Sequence, residues 1–318
     1  FGFHQISVSS GAVSGPVDYF ITGVAKETDG FRDHSSGDAL KGSFNLGYRL
    51  SENIETRFYL NANRVRQEIP GEVTRDVALN DPETAAPINV INDWQRNIDT
   101  LRVANKTTIR LSPGTLVEFG AFGVDRHLMH PIYLWLDYHY NDYGGFARIQ
   151  DRRTIAGFAN EFVGGVNIQN GTIDADLHLT GPGAKKGSLI MSSDRFAENV
   201  ATYFENTFYF LPDVGLVAGT QFLHAERDQN GVLNTATGRT EFDLWSPKVG
   251  LLWNVTPFAQ VFGNISRSAE VPSFDEGSSI ENFTTIRAQT ATTYEIGTRG
   301  RTKDLVWDLS LYRANIHN

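Results

Sequence analysis

The segment from His127 to Gly144 gathers side chains able to do chemistry: His127, His130, Tyr133, Trp135, Tyr138, His139, Tyr140, Asp142 and Tyr143. Tyr and Trp join an apolar body to a hydrogen-bonding tip, which suits a hydroxamate, catecholate or sugar ligand. His and Asp add groups that could touch metal. The same composition also makes a loop that packs on itself, and residue types alone leave both readings open. His127-x-x-His130 lacks an intervening Glu and a predicted helix, so no metal site is assigned to it. A second candidate is the stretch Gln67–Ile98, which holds Arg75, Trp94 and Arg96 with Arg66 at its edge. Guanidinium forks match carboxylates, so these arginines are either contacts for a carboxylate-rich ligand or solvated loop charges.

Catalytic patterns are absent. The chain contains no G-x-S-x-G, no phosphate-binding P-loop and no H-E-x-x-H. Glu205 and Glu295 could form a carboxylate pair for glycoside hydrolysis, but they fall on separate strands and nothing in the sequence fixes their separation. The glycine-rich Gly181–Gly187 lacks a strand–helix context and reads as a loop tip. The expectation is a protein that is not an enzyme and has no resident cofactor.

The elements that position these residues show in a period-two alternation over segments of about ten residues. In Leu101–Leu111, Leu101, Val103, Ile109 and Leu111 share one face, and Arg102, Lys106, Thr108 and Arg110 the other. Phe44, Leu46, Tyr48 and Leu50 oppose Lys41, Ser43, Asn45 and Arg49; Phe58 and Leu60 oppose Glu55, Arg57 and Asn61. Phe204, Phe208 and Phe210 oppose Glu205 and Thr207; Trp307, Leu309 and Leu311 oppose Asp308 and Ser310. The connections alternate between tight and long. Tight ones lie near Gly11–Gly15, Ser51–Asn53, Ser112–Gly114, Arg152–Gly157, Leu211–Gly215, Asn254–Pro257 and Gly300–Asp304. Long ones lie near Glu27–Ala39, Gln67–Ile98, His127–Gly144, Gly171–Arg195, Asp228–Gly238 and Ala269–Ala288.

That reading gives about fourteen strands, with every long loop at one end of the sheet. A transmembrane β-barrel sorts its connections this way, with short periplasmic turns and long extracellular loops. Aromatics near the tight turns (Tyr48, Tyr209, Phe210, Trp253 and Phe258) suit a headgroup girdle or an ordinary core. The predicted fold is all-β: an antiparallel up-and-down barrel whose apolar stripe meets lipid. Arg57, Arg102, Lys106, Arg110, Glu205, Glu295 and Arg299 are then expected to face the lumen.

The totals agree. In 318 residues, 40% are hydrophobic and 12% aromatic, with 30 Gly, and mean hydropathy is −0.29. No stretch approaches the roughly 18 consecutive apolar residues of a spanning helix, whereas a barrel strand turns only alternate residues to lipid. The formal charge of −9 argues against a nucleic-acid partner. The lack of cysteine removes disulfides and thiolate metal sites. No internal repeat and no Pro/Ser-rich linker divides the chain, so residues 1–318 are read as one domain.

Several stretches resemble TonB-dependent receptors of the siderophore and ferric-citrate-like branch. Tyr19–Leu50 is similar to that family's early barrel, with an E-x-D-G-[FY]-R-D loop followed by a strand ending G-Y-R-L. Arg66–Thr74 (RQEIPGEVT) resembles an extracellular loop with E-[IL]-P-G, and Asp125–Gly145 a His-Pro-aromatic loop before a strand. Ser246–Glu276, with its P-K-x-G-L strand, tight turn and Pro-Ser-Phe-x-Glu loop, is the most family-like part. Thr290–Gly300 continues it with E-x-G-x-[RK]-G.

The resemblance implies a bacterial outer-membrane active transporter. Its cargo would be a scarce nutrient, in first place a small-molecule iron chelate such as a ferric siderophore, bound on extracellular loops and imported with TonB-transduced energy. Family barrels have about 22 strands around a plug. Neither the plug nor the TonB-contacting segment is found here, so the expectation is a barrel portion of a longer protein, its partners being outer-membrane lipid and, through a missing N-terminal segment, TonB. Alternatives are a passive porin, an oligosaccharide or cobalamin importer of the same type, and a soluble all-β carbohydrate-binding protein.

Overall fold

The computed structural model describes residues 2–274, 278–279, 282–283 and 286–317. Alternating apolar and polar residues stiffened by β-branched and aromatic side chains give twelve strands in succession. They are β1 (Phe3–Ser14), β2 (Val17–Thr28), β3 (Gly37–Ser51), β4 (Ile54–Gln67), β5 (Asn97–Ser112), β6 (Thr115–Pro131), β7 (Leu134–Ile155), β8 (Phe158–Gly181), β9 (Lys185–Leu211), β10 (Val214–Leu233), β11 (Gly238–Thr256) and β12 (Ala259–Glu270). A two-residue pair follows, β13 (Ser278–Ser279) with β14 (Asn282–Phe283), and then β15 (Gln289–Arg301) and β16 (Val306–His317). All but the two-residue pair form one 14-stranded antiparallel sheet in which each strand pairs with its sequence neighbours. The strand number and the up-and-down order are those read from the sequence. β1 and β16 are its free edges.

All seven tight turns fall at one end. At the β7–β8 turn, Ala156 and Gly157 have φ of 52° and 88°, the doubly positive geometry that matches the strand twist in a two-residue hairpin. The opposite end differs from the sequence reading. His127–Gly144, Gly171–Arg195 and most of Asp228–Gly238 were expected to be loops, but they are strand. β6 and β7 pair down to Pro131↔Trp135, and β8 and β9 to Gly181↔Lys185. β7, β8 and β9 therefore run 22, 24 and 27 residues. The cause is a change of medium. Along this end one face ceases to be apolar, so alternation fades, while the hydrogen-bonded ladder continues, with register shifts between Leu177 and Thr180 on β8 and between Gly231 and Leu233 on β10. Glu276 and much of the connection after Ala269 lie outside the described residues.

The two faces separate cleanly. On β11, Trp253, Leu251, Val249 and Trp245 point to one side with exposures of 49–59%. At about 3.3 Å per residue the interval from Trp245 to Trp253 is ~26 Å along the strand, or ~20 Å at a tilt of about 40°. That is close to the apolar band about 25 Å tall of a membrane barrel. Trp245 meets Phe222 of β10 at 5.5 Å between ring centroids. One row further out the same face carries the His224–Asp243 pair (2.8 Å). The belt thus ends in aromatics and then in charge. Register carries it across neighbouring strands through Leu216, Phe204, Val103, Leu60, Phe58 and Tyr19. Among the described residues no second layer of protein covers it.

The opposite face is polar and cross-linked. Arg57 reaches Asp18 at 2.7 Å across Gly47, where a Cβ would come within 2.4 Å of the guanidinium. Glu118 bridges Lys106 (3.0 Å) and Arg148. Lys248 pairs with Glu205 at 2.7 Å, again across a glycine, Gly219. The compact apolar core is small and sits on this face in the extended hairpins. There Tyr138, Ala175 and Leu177 are buried against Leu128, Leu136, Ile173 and Met191.

Candidate functional site

Residues 68–96, between β4 and β5, form a cap at the long-hairpin end. Two short helices shape it, α1 (Arg75–Asn80) and α2 (Pro87–Asn92). Thr74 caps the first with its side chain; Pro87 starts the second and Asp93, at φ 52°, ends it. The cap is tied down from three sides. Arg32, between β2 and β3, donates to the carbonyls of Gly71 (2.8 Å) and Thr84 (2.9 and 3.1 Å). His34 reaches the Trp94 carbonyl at 3.0 Å and lies 3.5 Å from Glu68. At the β8–β9 tip, Ala184 donates its N–H to the Asn92 carbonyl (2.8 Å) and accepts from Trp135 Nε1 (3.1 Å).

The sequence-selected residues divide by position. Trp94 is buried, with Tyr133 edge-on at 4.5 Å; Tyr133 itself is the exposed tip of the β6–β7 turn. His130 donates from Nδ1 to the Gln95 carbonyl at 2.6 Å. With Trp135 these residues hold the cap. Arg75 and Arg96 are exposed on it, and among the described residues neither makes an ion pair. Tyr138 is in the buried cluster. Strand parity puts His127, His139 and Tyr143 on the belt face, Tyr143 at the belt's edge. Tyr140 and Asp142 are on the polar face. So are Arg57, Arg102, Lys106, Arg110, Glu205, Glu295 and Arg299, by the pairing that sets the belt on the other side. Glu295 accepts from Asn264 (2.8 Å), and Arg299 donates to Gln260 (2.9 Å).

The register assembles a group that sequence reading missed. One cross-strand row on the polar face runs Arg126↔Tyr140↔Ile173↔Arg195↔Gln229. The row beside it runs Arg102↔Val124↔Asp142↔Gly171↔Ala197↔Arg227. Four guanidinium groups therefore share two adjacent rows. Arg126 lies over the Tyr140 ring at 3.9 Å. Arg227 donates to the carbonyls of Glu226, Glu198 and Pro272 and to Asn199 Oδ1, at 2.8–3.2 Å. Arg195 is buried, 5.5 Å from the Phe274 ring. Among the described residues no carboxylate lies within 4.0 Å of Arg102, Arg126 or Arg227. The missed three sit at the boundaries of the segments read as loops: Arg126 before His127, Arg195 at the end of its segment, Arg227 before Asp228. Continuing the strand parity through those segments is the signal that finds them.

Burial of His130 holds its imidazole below the usual histidine value, with Arg96 adding repulsion and the Gln95 carbonyl opposing both. A folded value below the unfolded one means that the unfolded segment binds the proton more readily. The stabilisation is therefore fully present above the unfolded value of about 6.5 and is lost as pH falls from there through the folded value. Hydrogen exchange at Gln95 and Arg96, corrected for intrinsic rates, should show faster opening of the cap on acidification across that window. A His130→Gln variant should lose this dependence; unchanged dependence in the variant would assign it elsewhere.

Residues 15–318 match a family model described as TonB dependent receptor-like, beta-barrel. The ferric citrate transporter FecA, in its unliganded form, superposes with a TM-score of 0.85 at 15% identity, over 99% of this chain and 48% of that one. The ferric-catecholate import receptor Fiu from E. coli K12 gives 0.79 at 12% identity, over 99% and 58%. The ferric yersiniabactin uptake receptor FyuA from Yersinia pestis gives 0.78 at 12% identity, over 99% and 52%. The chain thus spans about half the length of these solved structures.

Proposed function

The chain belongs to the TonB dependent receptor-like β-barrel family, barrels of the Gram-negative outer membrane and not enzymes, and on that premise we propose that it serves the uptake of an anionic ferric chelate. The belt face meets outer-membrane lipid, and the polar face is the wall of the lumen. The observation that carries the cargo class is the pair of rows holding Arg102, Arg126, Arg195 and Arg227 beside Tyr140. Guanidinium forks pair with carboxylates two bonds at a time. In a partly dehydrated lumen such pairs gain strength that bulk water would screen. Chelates whose iron is wrapped in carboxylates offer matching acceptors. The neighbouring ferric citrate transporter supports the same class by its name.

The cap over residues 68–96 sits at the extracellular end, where a ligand would arrive. Arg75 and Arg96 are its two cations, set among Glu68, Glu72, Asp76, Asp81, Glu83 and Asp93, so the anion-binding character lies in the arginine rows below and not in the cap. The outer membrane holds no nucleotide pool, so inward transport against a gradient would draw on TonB. The test is uptake of radioactive iron by the full-length protein in a host lacking its own ferric receptors. Saturable uptake of ferric citrate that stops on deleting TonB is expected. Uptake indifferent to TonB would establish a passive pore. Uptake of cobalamin or oligosaccharide with none of ferric chelates would overturn the cargo.

A further inference from the structure

On the belt face of the β6–β7 hairpin, two rows beyond the Tyr143 edge of the belt, His127 and His139 stand directly opposite one another. Their rings stack at 3.8 Å with 19° between planes. Asp137, one residue pair further along the same face, lies 2.5 Å from His127 Nε2 and 3.9 Å from His139 Nε2 through one oxygen, Oδ1. Its other oxygen is held by the Lys186 ammonium. We propose that His127, His139 and Asp137 bind one divalent transition-metal ion on the outer surface of this extracellular hairpin.

Donor chemistry and spacing carry the proposal. Two imidazoles and one carboxylate are a borderline ligand set that suits Zn²⁺, Ni²⁺ or Cu²⁺ better than Ca²⁺ or Mg²⁺. With metal–ligand bonds of about 2.0–2.2 Å, tetrahedral donors lie roughly 3.3 Å apart. The two imidazole–carboxylate distances, 2.5 and 3.9 Å, bracket that value. One ligand atom from each of the three residues falls within 4.8 Å of the others. Closing the set requires one imidazole to turn out of the 19° stack so that both lone pairs converge on the ion, on a backbone ladder that stays paired.

The surroundings add a second argument. Across the strands Asp99 is opposite His127, Asp174 is opposite His139, and Asp194 is opposite Asp174. All lie in one row on one face, which continues to Arg64 opposite Asp99; Arg64 and Arg66 (2.7 Å) offset Asp99, so the surplus of carboxylate lies on the His139 side, at Asp174 and Asp194. Lys186 engages Asp137 Oδ2 and so leaves Oδ1 for the metal, the orienting contact that metal-bound carboxylates usually have. A second trio, His34, Glu68 and Asp93, is less suited. Its Nε2 is committed to the Trp94 carbonyl, and Glu68 already accepts from Ser36.

The site faces away from the lumen and is independent of the transport reading. Full-length receptor in detergent would be titrated with Co²⁺, read by its visible ligand-field bands and by displacement with Zn²⁺. One equivalent is expected in the wild type and in His34→Ala. The equivalent should be absent from His127→Ala/His139→Ala. Asp137→Asn should weaken binding at least as much as the loss of an outer-shell partner, about 10–100-fold. Native heat-modifiable gel mobility in each variant separates ligand loss from misfolding. Equal Co²⁺ uptake by the wild type and the double variant would overturn the proposal and leave a hydrogen-bonded His–Asp cluster only.

Discussion

Val249→Arg is expected to cost about 2–4 kcal/mol of barrel stability, the range for a cation on the lipid face at the bilayer midplane. Val249 lies midway between Trp245 and Trp253 on the belt face and is 49% exposed. An arginine there would have to reach roughly 13 Å along the strand, about 10 Å along the membrane normal, to either interface, beyond what its stem spans without distorting the bilayer. The companion substitution is Gln221→Arg. Gln221 is exposed on the polar face of β10, opposite Ser246 and Tyr203. In a water-filled lumen that change should stay within about 0.5 kcal/mol. The measurement is urea unfolding of the barrel in lipid vesicles, followed by tryptophan emission. About 1.4 kcal/mol corresponds to tenfold in an equilibrium constant, so the first variant should shift the folded-to-unfolded ratio by roughly 30- to 700-fold and the second hardly at all. Equal costs, or a larger cost at Gln221, would mean that the belt packs against protein and the lumen assignment is reversed.

The same medium argument explains what could be read from the sequence. Inside the bilayer each strand must present apolar residues on one side, so Leu101, Val103 and Ile109 betray their strand without any partner being known. Tight turns at Ser112-Pro113-Gly114 and Ala156-Gly157 announce themselves by residue type. Beyond the membrane neither constraint acts. His127, Asp137 and His139 replace Leu and Val on the outward face, water solvates them, and a strand there is chemically indistinguishable from a loop. Only cross-strand hydrogen bonding, a property of two segments at once, keeps those residues extended. The candidate site suffered most from this. Tyr140 and Asp142 were visible as residue types, but the face each one occupies was not. Asp137 and the guanidiniums of Arg126, Arg195 and Arg227 acquire meaning only from register, which sets residues far apart in sequence into one row. Trp94 read as a ligand contact, whereas burial makes it the pin of the cap.

Arg126→Ala is expected to weaken binding of ferric citrate about 10- to 100-fold. Hydrogen bonds to a charged partner contribute about 1.5–3 kcal/mol each, and about 1.4 kcal/mol is a factor of ten. Arg126 is the cleaner of the row's arginines to remove. It lies over the face of Tyr140 at 3.9 Å and, among the described residues, donates to no carbonyl, so truncation leaves none orphaned. Arg227 differs, because its four hydrogen bonds also hold Pro272 and Asn199. Its loss would loosen that connection as well as remove charge, and would confound the reading. Arg126→Lys keeps the charge but not the planar fork and should recover only part of the affinity. Raising ionic strength should weaken the wild type more than the alanine variant, since screening acts on the charge that the variant lacks. Binding is measured by quenching of tryptophan emission in the full-length receptor, with a neutral ferric hydroxamate run in parallel. A loss for the anionic chelate alone assigns Arg126 to charge recognition. Equal losses for both chelates would instead make it a support for Tyr140 and the extended hairpins, and the arginine rows would no longer identify the cargo.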